Sequence, residues 1–195
     1  MTSAEAVERL RASLGEGIQG VDEFRGETTV RIELSIIAEA AKLLKEMGFR
    51  TLLDLTPVDH WQEEPRFEMV YHFSAAQSGA FLRLKGRVGG EEPVVPSLAA
   101  VYATANWQER EAFDMMGIRF AGHPDLRRIL MWDGYPFFPL RKDFPLEGKA
   151  SDAGGVAFSR PAPMDGGPFV TRSAEESRRR EPRAHPADEL EEEKR

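Results

Sequence analysis

The sequence predicts an α+β fold: a mixed or antiparallel sheet with helices on one side, followed by an extended C-terminal arm and tail. Three observations carry this. Periodic segments follow the order α, β, α, β, β, β, α along the chain. A single helical crossover followed by a meander favours a sheet with helices on one face over a doubly wound nucleotide fold. Beyond about residue 147 the apolar periodicity stops, and Gly, Pro and charge take over.

Residues 4–14 place Val7, Leu10 and Leu14 on one helical stripe. Residues 28–34 alternate strictly, with Val30, Ile32 and Leu34 on one face. Ser35 is placed as the N-cap of a second helix. That helix carries Ile36, Ile37, Ala40, Leu43, Leu44 and Met47 at helical spacing, and Gly48 stops it. Residues 49–56 read as a mostly buried strand closed by Pro57. Residues 66–74 put Phe67, Met69, Tyr71 and Phe73 on one side. The loop Ala76-Gln77-Ser78-Gly79 then leads into a partner strand, where Leu82 and Leu84 alternate with Arg83, Lys85 and Arg87, an antiparallel hairpin. A helix follows over about 97–116, with Gly117 as terminator. The expected division is an α+β domain over 1–120, an extended arm over 121–146 and a tail over 147–195. That tail is expected to be either disordered or extended on a partner, the scattered Phe and Met residues favouring the second for 150–172.

Composition excludes several kinds of chemistry. The 195 residues carry 26 Lys+Arg against 33 Asp+Glu, a net charge of −7, and no cysteine. Without cysteine there is no disulfide, thiol nucleophile, thiolate zinc site or cysteine-ligated iron–sulfur cluster. The acidic balance argues against nucleic acid as a partner. The longest apolar run, Leu98 to Ala103, is six residues, against the roughly 20 a membrane span needs. No secretory signal opens the sequence, so a soluble chain is expected.

The apparent G-x-G-x-x-G at Gly15, Gly17 and Gly20 follows a helix instead of a strand, so it reads as a helix stop and a turn. Of the four histidines, His60, His72, His123 and His185, no two have metal-ligand spacing on one element. His60 is expected to make a structural hydrogen bond, and His72 to be a half-exposed strand residue.

Chemistry is densest over 106–146. Asn106 is positioned to cap a helix, with Glu109 returning a bond to the cap. Arg110, Glu111 and Asp114 would form one charged face, while Trp107, Phe113 and Met116 turn to the core. Pro124 pushes His123 toward an extended conformation. Asp125 is placed to cap a turn bearing Arg127 and Arg128. Pro136, Pro139 and Pro145 keep the remainder extended around Arg141, Lys142 and Asp143. Two uses of these charges stay open: a network pinning the arm to its own domain, or one reaching a neighbouring protein.

This stretch resembles the signature of the 30 kDa (C-type) subunit family of proton-translocating NADH–quinone oxidoreductase, respiratory complex I. The residues that carry the resemblance are Glu109-Arg110-Glu111-Ala112-Phe113-Asp114-Met115-Met116-Gly117-Ile118, then Phe120 and Gly122-His123-Pro124-Asp125-Leu126-Arg127-Arg128-Ile129-Leu130. Pro139-Leu140-Arg141-Lys142-Asp143-Phe144-Pro145-Leu146 completes it. The segments DLTPVDH and RFEMVYHFS also look like the family's strands, so the resemblance covers roughly residues 45–146. Met116 departs from a frequent aromatic, and 132–138 differs locally.

The resemblance implies a non-redox scaffold of the peripheral arm, beside the quinone-site subunit and an Fe–S subunit, on the cytoplasmic side of the bacterial inner membrane. It implies no catalytic residue, metal or cofactor on this chain. FMN, Fe–S clusters, NADH and quinone would belong to other subunits. Glu109, Arg110, Glu111, Asp114, His123, Asp125, Arg127, Arg128, Arg141, Lys142 and Asp143 then serve as structural contacts and as contacts between subunits. The competing expectation is a stand-alone small-molecule enzyme using Asp114 with His123. A nucleic-acid module is weaker still, because the strands lack an aromatic RNA-binding pattern.

Overall fold

The computed structural model describes residues 2–146. In chain order its elements are α1 (Ser3–Leu14), β1 (Ile18–Phe24), β2 (Glu27–Ile32), α2 (Ile37–Glu46), β3 (Thr51–Asp59), β4 (Phe67–Ala75), β5 (Ala80–Val88), β6 (Val94–Pro96), α3 (Ala105–Met116) and β7 (Arg119–Ala121). The main sheet runs β1-β2-β5-β4-β3. Only β2–β5 is parallel within it, the consequence of the crossover through α2. The sheet is therefore mixed, as expected.

The core forms where two periodicities meet. Val30, Ile32, Met69, Tyr71, Phe73, Leu82 and Leu84 share one cluster with Leu10 of α1 and Ile37, Ala40 and Leu44 of α2. Burying each large apolar side chain contributes about 1.5–3 kcal/mol. A capping box starts α1: Glu5 N–H donates to Thr2 Oγ1, and Thr2 N–H to Glu5 Oε2. Tyr102 closes one end of the core, donating its hydroxyl to Phe49 O at 2.6 Å while its ring meets Phe73 at 5.5 Å.

Several local expectations are corrected. β1 is an additional edge strand whose exposed, acidic half hides its alternation; β2 holds it by pairing. Ser35 does not cap α2. It lies in a 3₁₀ turn and donates to Glu33 Oε1, and Ile36 stands at the N-cap with no side-chain bond. Pro57 lies within β3 instead of closing it, which is tolerated because β3 is the sheet's outer strand. The last helix begins at Ala105, not near 97, because residues 97–104 form turns. β6 and β7 pair in parallel over three residues each, too short for any periodic signal. The expectations for 147–195 lie outside the described residues.

Candidate functional site

The sequence pattern of α3 is turned inside out. Glu109, Arg110 and Asp114 are buried, whereas Trp107 is 61% exposed and Phe113 and Met116 are only half-buried. Arg110 and Asp114 of the expected charged outer face point inward because residues 127–131 lie over them and supply their hydrogen-bond partners, while Glu111 of that face stays exposed. Asn106 caps nothing: the N-cap is Thr104, without a side-chain bond.

Asp114 organises the first lock. Its Oδ1 accepts Arg128 Nη1 at 2.5 Å, and its Oδ2 accepts the backbone amides of Ile129, Leu130 and Met131 at 3.0, 2.7 and 2.8 Å. Burial alone would raise this carboxyl's pKa, but those amides and the guanidinium outweigh it and hold Asp114 below the usual carboxylate range. Arg128 also donates to Asp114 O and Phe137 O, and sits over the rings of Tyr135 and Phe138. Arg110 reaches the same loop, donating to Arg127 O and Arg128 O, both at 3.2 Å.

A second lock joins the arm to β3. Buried Asp59 accepts Arg66 Nε and Nη2 at 2.8 and 2.6 Å and the amide of Lys142 at 2.8 Å. The Arg66 hydrogen bond leads in holding the Asp59 carboxyl below its ordinary value. Arg66 Nη2 also reaches Asp143 Oδ1 at 2.5 Å. Arg141 donates from Nε to Met116 O at 2.7 Å, its guanidinium 4.5 Å from the Phe138 ring centre and 5.3 Å from that of Phe67. Gly117 makes this approach possible. It ends α3 with φ +74°, and a Cβ there would stand 2.5 Å from Arg141 Nη2 and 2.7 Å from Phe138.

Glu109 differs from both. Fully buried, it accepts Ser97 Oγ–H and Leu98 N–H, each at 2.6 Å. Burial pushes its pKa up to about 7 despite those two bonds. His123 Nδ1 accepts the Asp125 amide at 3.0 Å, which leaves Nε2–H to donate to Asn106 O at 3.1 Å. The imidazole Nε2 lies 4.0 Å from Glu109 Oε2.

Of the eleven residues singled out by sequence, the structure brings Arg110, Asp114 and Arg128 together in one lock, Arg141 and Asp143 into the other, and Glu109 with His123 at the root of the arm. Glu111, Asp125, Arg127 and Lys142 have exposed side chains. Asp125 pairs with Arg127 Nε at 2.9 Å instead of capping a turn. Asp114 and His123 are not paired with one another, so the couple required by the catalytic alternative is not formed. Sequence reasoning missed Asp59 and Arg66, although both stand in the strand segments that carried the resemblance. Among the described residues, no group of three or more His, Asp or Glu could hold a metal ion, and no helix is long and apolar enough to cross a membrane.

The family model described as "Respiratory-chain NADH dehydrogenase, 30 Kd subunit" matches residues 30–150, a range containing both locks. The chain is 49% identical over 137 residues to the second C-type subunit of NADH-quinone oxidoreductase in Rhizobium etli (strain CIAT 652), covering 69% of this chain and 73% of the relative. It is 44% identical over 144 residues to the C-type subunit of NADH-quinone oxidoreductase in Geotalea uraniireducens (strain Rf4), covering 73% and 88%. Among solved structures, the trypsin-resistant fragment (1-134) of Nqo5 aligns with TM-score 0.55 and 28% identity, over 62% of this chain and 99% of the fragment. A chain of an archaeal membrane-bound sulfane sulfur reductase complex shares the fold at TM-score 0.64 and 24% identity, over 73% and 85%. The segments that build the two locks thus fall within a family match spanning well over half the chain, and the chain belongs to the respiratory-chain NADH dehydrogenase 30 Kd subunit family.

Proposed function

We propose that this chain acts as a non-redox scaffold in the peripheral arm of an NADH–quinone oxidoreductase. It would hold the quinone-site subunit against the subunits that carry Fe–S clusters. The observation that carries this reading is the use of the signature charges. Buried Asp59 and Asp114 serve, with half-buried Arg128, to fasten residues 127–143 across α3 and β3, with Arg66 and Arg141 completing the fastening. Glu111, Arg127 and Lys142 are left facing outward. A segment so fastened presents a fixed surface to partners.

The chain has no cysteine and so supplies no thiolate to a cluster. NADH, FMN, Fe–S clusters and quinone belong, in this reading, to other subunits, on the cytoplasmic side of the membrane. The chain's contribution is placement: where geometry controls reaction, an error of about 1 Å costs on the order of a hundredfold.

The test is affinity purification of the tagged full-length chain from its native host in mild detergent. Recovery with cluster-bearing and quinone-site subunits in near-equal amounts, with NADH–quinone activity in the assembly and none in the chain alone, is expected. A chain recovered alone, or one active alone, overturns the reading.

A further inference from the structure

Next to the Arg141–Met116 bond of the second lock, α3 and the outer strand β3 enclose a shallow groove. Buried Pro57 and Met115 and half-buried Met116 form its floor, and exposed Asp54, Glu111 and Leu140 its rim. Neither rim carboxylate forms an ion pair among the described residues. One helical turn before Glu111, on the same face of α3, Trp107 is 61% exposed. Across from it Leu53 is 49% exposed, and Gln108 Nε2 ties the two walls together by donating to Leu53 O at 2.9 Å.

An exposed Trp beside a Met-lined floor is the residue set found at the centre of protein interfaces, where an aromatic anchor is desolvated against a partner. The charge on the rim specifies that partner further. Arg110 of this chain already lies over the Trp107 ring, 5.1 Å from its centre, so the indole offers apolar surface to a partner, while the two rim carboxylates are complemented by a cationic side chain that pairs with them. Pro57 offers no N–H from the strand at this point, so the occupant is gripped through side chains and not through a continuous added β-ladder.

We infer that the groove between β3 and α3 is a docking site for an apolar segment bearing an Arg or Lys, contributed by another subunit of the assembly. This rests on the scaffold reading above and adds a location and a partner chemistry to it.

In the full-length chain produced in its native host, Trp107→p-benzoylphenylalanine, and separately Leu53→p-benzoylphenylalanine on the facing wall, is photolysed in the purified complex and the adducts are mapped by mass spectrometry. The expected adduct lies on a peptide of another subunit with Arg or Lys within a few residues. Combining the probe with Asp54→Asn and Glu111→Gln, which keep shape but remove charge, should lower adduct yield roughly tenfold. Adducts confined to this chain's own residues 147–195 or to a second copy overturn the inference. So does an assembled complex with no adduct from either position, or a yield indifferent to the neutral pair. If no other subunit is recovered from the host at all, the scaffold reading fails first and takes this inference with it. If the subunits are recovered but the adduct misses them, only the groove assignment fails.

Discussion

Asp114 accepts the Arg128 guanidinium at 2.5 Å with one oxygen and three successive amides, those of Ile129, Leu130 and Met131, with the other. One carboxylate at the end of α3 thus fixes both the side chain and the backbone of the loop that follows it. The relationship is unequal. Arg128 retains carbonyl and aromatic partners without Asp114, whereas the amides of 129–131 have no substitute of equal charge.

Asp114→Asn removes the charge and one acceptor while keeping the shape. Breaking a buried, hydrogen-bonded ion pair on one side costs about 3–5 kcal/mol. The expected result is loss of hydrogen-exchange protection at the Ile129–Met131 amides, with the Leu84 amide in the sheet unchanged. Asp125→Asn, in an exposed pair with Arg127, should change stability by less than about 0.5 kcal/mol. Equal effects from the two substitutions would contradict the assignment.

The carboxylates divide by pH. Asp59 and Asp114 have lowered pKa values in the fold, so their stabilisation is present above the ordinary carboxylate range and is lost as pH falls through the lowered values. Glu109 runs the other way. Its pKa rises from 4.5 to about 7, so its contribution is complete below about 4.5 and disappears as pH rises through 7. Urea unfolding of the full chain between about pH 4.5 and 8 should show wild type losing on the order of 3 kcal/mol relative to Glu109→Gln, whose neutral amide keeps the Leu98 bond. Parallel curves would mean that Glu109 is not the titrating group.

The sheet was legible in the sequence where one face sees water and the other the core. Phe67, Met69, Tyr71 and Phe73 alternate along β4 and all four are buried, while Glu68 and His72 on its other face are half-buried. The polarity of α3 was not legible for the converse reason. Periodicity takes charged residues as water-facing, and here the arm lies between the helix and water. Nor could spacing reveal that Asp59 binds the amide of Lys142, 83 positions away. A backbone donor leaves no residue-type signal. The dense charge of 106–146 did locate the site, but not which groups point inward.

Gly117 separates backbone strain from crowding. Gly117→Ala forces an L residue into φ +74° and sets a Cβ against Arg141 and Phe138, whereas Gly122→Ala meets φ +83° with nothing within 4 Å. The Gly122 variant should lose roughly 1 kcal/mol and the Gly117 variant clearly more. Limited proteolysis should show early cleavage near Arg141 in the Gly117 variant alone. Equal melting temperatures for the two variants would show that Arg141 does not pack where it is placed.

Two adjacent arginines distinguish fastening from docking. The side chain of Arg128 is mostly covered, 11% exposed, against buried Asp114, whereas that of Arg127 is exposed and held, among the described residues, by the surface pair with Asp125. Arg128→Glu would set two carboxylates together without water, so the chain itself should be destabilised by several kcal/mol and assembly should fall as a consequence. Arg127→Glu costs the isolated chain little, because an exposed pair is worth under about 1 kcal/mol. If the outward charges serve a partner, its effect should appear in assembly, as a faster loss of partner subunits at physiological ionic strength. The two quantities to compare are the melting temperature of the purified full-length variant and the yield of intact complex from the host. A drop in yield for Arg127→Glu at unchanged melting temperature supports docking through this face. A yield that follows melting temperature in both variants would confine residues 122–145 to stabilising their own domain.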